Sequence, residues 1–126
     1  MIKVKRVYGM NKTMNWNQLN QSDILLKIKE ESNSKPVLIF KHSTRCSISS
    51  MALSRLERSW EEDDMGGLTP YYLDLISYRD ISNQIAEDFN IPHQSPQVIV
   101  IKNGQAVYDT SHMGINYNDL KELAKN

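Results

Sequence analysis

From residue 22 onward the apolar positions of this chain fall into two rhythms. Ile24, Leu25 and Ile28 recur at helical spacing, with Lys27, Lys29, Glu30 and Glu31 filling the other side. The spacing predicts a helix that starts at Gln21 or Ser22, carries Asp23 near its positive end and fails over 32–35, ahead of Pro36. VLIF (37–40) is instead an unbroken apolar run opened by a proline, the pattern of a central strand covered on both faces. A polar turn follows, TRCSIS (44–49). Beyond it Ile48, Ala52 and Leu56 repeat every four residues, and Leu53, Leu56 and Trp60 add a second row, which predicts a wide amphipathic helical face. The acidic run 61–64 then crowds the C-terminal end of that helix, where negative charge opposes the dipole, and Gly66-Gly67 reads as its stop.

TPYYLDLI (69–76) reads as a strand. Ser77-Tyr78-Arg79-Asp80 resembles a capping box, and Ile81, Ile85, Ala86 and Phe89 form the next helical face, ended by Pro92. In SPQVIVIKNGQAVYD two short runs are split by Asn103-Gly104, a strong hairpin signal because both residues tolerate positive φ. Tyr117, Leu120, Leu123 and Ala124 outline a last helix, with Asn116 or Asn118 as its cap. The polar, asparagine-rich segment 1–21 is expected to be a short strand or irregular arm anchored by Trp16 and Leu19, with 1–15 at the periphery. Strand–helix–strand units followed by a hairpin imply an α/β domain spanning 1–126: a mixed central sheet of four to five strands, helices on both faces, and a C-terminal hairpin plus helix.

Charge and composition narrow the function classes. Lysine and arginine number 15 and so do aspartate and glutamate, a balance that offers no general attraction to nucleic acid or to an anionic membrane. The longest apolar runs are strand-sized, too short to span a bilayer. MIKVKRVYG has basic residues but no apolar stretch after them, so no secretory signal is expected. The single cysteine cannot close an intrachain disulfide, which fits a reducing, cytoplasmic setting. One cysteine and three scattered histidines lack metal-ligand spacing, so neither a metal nor a bound cofactor is expected.

That one thiol, Cys46, stands where the central strand passes into a helix. Helix N-termini carry partial positive charge and unsatisfied N–H groups, which stabilise a thiolate, the nucleophile of disulfide exchange. The plainer reading is a small buried apolar residue; the polar neighbours Ser43, Thr44, Arg45, Ser47 and Ser49 argue against it. Ser95-Pro96, just ahead of the VIVI strand, is the second element. A cis bond there would expose the Ser95 backbone to an extended substrate, whereas a trans proline would simply open a strand. His93 lies close to it in sequence and is a candidate modulator of the thiol's acidity. Cysteine–histidine hydrolysis with His42, His93 or His112 as base lacks any oxyanion-hole motif.

These segments together resemble a known family. Cys46-Ser47-Ile48-Ser49 after a strand, Ser-Pro before a later strand and the Asn-Gly hairpin look like the thioredoxin fold. KHSTRCSIS (41–49) and HQSPQVIVIKNGQAVYDTSHMGI (93–115) resemble the monothiol bacilliredoxins of the YtxJ type, over roughly residues 15–125. The resemblance implies that Cys46 is the nucleophile and that Ser49 stands where a resolving cysteine would be. It implies that Thr44, Arg45, Ser47, Ser49, Ser95 and Pro96 line the substrate site. A hydroxyl cannot release a mixed disulfide, so a second, external thiol must do it; the resemblance implies bacillithiol, a low-molecular-weight thiol, as that co-substrate and S-thiolated client proteins as partners. The rival function is a non-catalytic module of the same fold that holds a partner along the Ser95-Pro96 edge. The family usually has proline after the cysteine; here it is Ser47, which adds an N–H and removes a preset φ.

Overall fold

The VLIF run and the Lys-His pair that follows it form the middle strand of the sheet. In the computed structural model, which describes residues 14–125, every residue of this strand, β2 (Val37–His42), is buried. Around it the chain runs β1 (Asn17–Gln18), α1 (Ser22–Glu31), β2, α2 (Ser47–Ser59), α3 (Glu62–Met65), β3 (Thr69–Asp74), α4 (Arg79–Phe89), β4 (Gln97–Lys102), β5 (Gln105–Ser111), a 3-10 turn (His112–Gly114) and α5 (Tyr117–Ala124). The sheet order is β1-β3-β2-β4-β5. β1, β3 and β2 are parallel; β4 runs antiparallel to β2, and β5 antiparallel to β4. The expected mixed sheet is therefore present with five strands. Of the N-terminal segment, Trp16 packs on Phe40, Trp60 and Tyr72, and Leu19 is buried, as their anchoring role requires. Residues 1–13 lie outside the described residues.

Alternation along β2 divides the core into two layers. Leu38 and Phe40 pack with Ala52 and Leu56 of α2 and Leu120 of α5. Val37 and Ile39 pack with Leu25 and Ile28 of α1 and Ile81, Ile85 and Phe89 of α4. Asn103 (φ 53°) and Gly104 (φ 76°) turn the β4–β5 hairpin through the left-handed region. Asn116 caps α5 by accepting the Asp119 N–H at 2.9 Å.

Three expectations need correction. Ile48 does not face the core: it is 46% exposed, and α2 buries Ser49, Ala52 and Leu56 instead. The acidic run does not end α2. The chain leaves helical geometry at Trp60 (φ −64°, ψ 125°), and Glu62, Asp63 and Asp64 form the first turn of α3, where the dipole favours them. Gly66 ends that short helix, not the long one. At α4 there is no capping box. The N-cap is Tyr78, and Ser77 turns back to Asp74, its hydroxyl donating at 3.0 Å.

Candidate active site

The strand–helix junction forms because β2 ends at His42 and the loop 43–46 turns the chain onto the face covered by α2. Ser43 accepts the Cys46 N–H at 3.1 Å, closing a tight turn, and Cys46 becomes the N-cap of α2 in extended geometry (φ −111°, ψ 120°). Its carbonyl accepts the Ser50 N–H at 3.0 Å, the first bond of the helix. The thiol is thus set at the positive end of a 13-residue helix, half-buried and unpaired with another cysteine. Thr44, Arg45 and Ser47 are exposed around it.

Ser95-Pro96 is a cis peptide bond. Its position follows from the register: Lys41 pairs with Gln97 in antiparallel sense, so the residues before Gln97 run on beside the residues after Lys41, toward the Cys46 loop. The Pro96 carbonyl accepts the His112 N–H at 3.0 Å, and the 3-10 turn that His112 opens packs against α2. The opening of α2, the Ser95-Pro96 edge and this turn therefore converge. The Ser95 hydroxyl is buried without a hydrogen-bond partner. Ile48, Met51 and Met113 stand exposed on α2 and on the turn, an apolar rim of which periodicity picked out only Ile48, and as a core residue.

Two predicted residues take other places. Ser49 is not presented to a partner. It is 0% exposed, and its hydroxyl lies 2.7 Å from His42 Nδ1 and accepts the Ser43 N–H at 3.1 Å. It braces the loop from below. His93 turns Nδ1 toward the opposite face of the sheet, 3.3 Å from both Lys41 Nζ and Ser82 Oγ. Desolvation on that side, then the charges of Lys41 and Arg79, hold its pKa below the usual imidazole value. The histidine tied to the opening of α2 is instead His42, buried beside Phe40 and Tyr72. Burial lowers its pKa, against the opposing pull of Asp74 and Glu57. The polar VLIF-KH boundary was its only sequence signal.

Lys41 is also fully buried, donating to the Ser82 carbonyl at 3.3 Å, and burial brings its pKa down to about 8. His112, at φ 52°, is exposed in its turn. Among the described residues no three of histidine, cysteine, aspartate and glutamate gather closely enough to hold a metal ion, and no helix is long and apolar enough to cross a membrane.

The family model for the monothiol bacilliredoxin BrxC matches residues 17–120, a span that contains the thiol, the Ser95-Pro96 edge and the whole sheet. The chain belongs to the monothiol bacilliredoxin family. A solved structure described as a candidate oxidoreductase with a thioredoxin fold is 32% identical, with a TM-score of 0.72 over 87% of this chain and 93% of that one. The thioredoxin of Malassezia sympodialis is 17% identical (TM-score 0.68; 92% and 93% covered), and that of Fasciola hepatica 16% (TM-score 0.64; 86% and 96%). At that identity the two thioredoxins establish the fold alone. As a bacilliredoxin family member with a thioredoxin fold, the protein is a thiol-based redox protein, and its partners are thiol redox partners.

Proposed function

We propose that the protein removes bacillithiol from protein mixed disulfides through Cys46. The observation that carries this reading is a single half-buried thiol at the N-cap of α2, beside an edge whose Ser95 hydroxyl has no internal partner. A lone thiol can exchange but cannot resolve, because Ser49 offers a hydroxyl, and a buried one. Cys46 thiolate attacks the bacillithiol sulfur of the mixed disulfide. The S–S bond to the client breaks, and the client sulfur leaves as thiolate. Cys46 then carries bacillithiol in a new disulfide. A second bacillithiol thiolate attacks the bacillithiol sulfur of that adduct, Cys46 leaves, and the symmetric disulfide departs. The client is freed as a thiol, and its bacillithiol moiety leaves joined to one added bacillithiol as the symmetric disulfide.

Thr44, Arg45 and Ser47 are the exposed polar contacts for substrate, and Ser95-Pro96 is the docking edge. The Ser95 hydroxyl is sealed from solvent, so in this reading the edge offers an extended substrate the Ser95 backbone. The test is release of bacillithiol from a bacillithiolated protein, with glutathionylated substrate in parallel. Wild type is expected to release bacillithiol in preference, and Cys46→Ser to release neither. Equal release by both proteins, or none by wild type, overturns the reading, and the second outcome leaves a partner-binding module of the same fold.

A further inference from the structure

The buried His42–Ser49 pair has no part in the exchange steps above, yet Ser49 stands in the first turn of the helix that the nucleophile opens. Ser49 is the third residue of α2, and Cys46 is its N-cap. N-cap and third-position side chains are neighbours, the spacing that lets them exchange hydrogen bonds in a capping box. Cys46 makes no side-chain cap bond, which leaves its sulfur open to a donor from that position.

A serine hydroxyl donates once and accepts up to twice. Ser49 Oγ already accepts the Ser43 N–H at 3.1 Å. Its second contact, His42 Nδ1 at 2.7 Å, has two forms. When Nδ1 is bare, Ser49 gives it the hydroxyl proton and has none left for the thiol. When Nδ1 carries a proton, Ser49 accepts twice, and its own proton is free. We propose that His42 is a positioning residue for the thiol chemistry: through the Ser49 hydroxyl it decides whether a hydrogen-bond donor is offered to Cys46. With the neutral imidazole carrying its proton on Nε2, the hydroxyl is committed to Nδ1. Protonation of His42 releases it to stabilise the thiolate.

The groups around His42 set when that happens. Tyr72 and Asp74 face it from β3, Phe40 packs on it from its own strand, and Glu57 reaches it from α2, itself accepting the Trp16 indole N–H at 2.9 Å. Burial keeps the imidazole neutral at pH 7, and the two carboxylates limit how far its protonation is postponed. The thiolate gains its extra donor only as the solution becomes acidic, where an unassisted thiol would lose reactivity.

The inference rests on the exchange reading for its purpose, but its test needs no bacillithiol. The pH midpoint of Cys46 alkylation by iodoacetamide is measured in wild type, His42→Phe, His42→Asn, Ser49→Ala and the His42→Phe/Ser49→Ala double variant. His42→Phe frees the hydroxyl. Its ionisation constant is expected to rise on the order of fivefold, the worth of one hydrogen bond. His42→Asn keeps an acceptor and returns the midpoint toward wild type, and Ser49→Ala cancels the effect of His42→Phe. Nitrogen-15 NMR of the wild-type imidazole gives a reading that needs no variant to fold. A bare, hydrogen-bonded Nδ1 whose shift moves when Cys46 is alkylated is expected. Unchanged midpoints across the series, or a protonated Nδ1 indifferent to Cys46, overturns the proposal. Failure of bacillithiol release with these couplings intact would overturn the substrate and leave the relay standing.

Discussion

Ser49 occupies a position where the helical rhythm calls for an apolar residue. α2 turns residues 49, 52 and 56 inward, and the first of these is polar. Its hydroxyl is tolerated because it meets both a backbone N–H and His42 Nδ1. Ser49→Ala leaves the Ser43 N–H and the imidazole nitrogen buried and unpaired. A loss of about 1–3 kcal/mol is expected in urea unfolding, and a variant as stable as wild type would remove this bracing role. The same residue explains a misreading. Counting apolar residues alone gives 48, 52 and 56, one position off at the start, and places Ile48 in the core. The place of Cys46 at the opening of a helix, and of Ser95-Pro96 ahead of a strand, was legible because apolar runs and prolines mark both locally. His42 was not, since its meaning lies in a contact with Ser49, and nothing in the spacing says that this contact is buried.

At the scale of elements, the strands and most helix limits follow from punctuation that sequence carries openly: Pro36, Asn103-Gly104 and Asn116. Asn116→Ala removes the α5 cap and is expected to cost about 1 kcal/mol in denaturant unfolding. No change in the unfolding midpoint would deny the cap its role. The break between α2 and α3 was not legible, because it depends on tertiary burial. Trp60 is 3% exposed, with its indole N–H on Glu62 at 2.8 Å, and that seating takes the chain out of the helix. Gly67 shows a similar dependence: a methyl group there would collide with the Ala124 carbonyl of α5. The apolar rim gives a further outcome. Met51→Gln with Met113→Gln should slow exchange with a protein mixed disulfide several-fold, since a central apolar contact is worth roughly 1 kcal/mol or more. Exchange with a small symmetric disulfide should be little changed. An equal effect on both substrates would show that the rim does not read the client.

At the scale of the molecule, one sheet buries two unlike ionisable side chains at the end of the same strand. Lys41 points to the α4 side and His42 to the α2 side. Lys41 has consequences for stability against pH. Unfolded, it holds its proton to the ordinary value of 10.5; folded, burial makes it release near pH 8. Between these values the unfolded chain binds more protons, so Lys41 makes stability rise with pH over that window, by up to about 3 kcal/mol. Lys41→Met keeps the apolar stem, and the difference in stability between the two proteins should narrow from pH 8 to 10.5. A constant difference would show that Lys41 is not buried as a cation.

The central claim, that one thiol carries bacillithiol away from a client, is tested most directly by the covalent intermediate. Wild-type protein is mixed with a bacillithiolated client, quenched in acid and examined by mass spectrometry. The account expects one bacillithiol per chain, mapped to Cys46, and its loss with recovery of the free thiol on addition of bacillithiol. Release of the client without an adduct on Cys46, or an adduct that added thiol cannot clear, would contradict it.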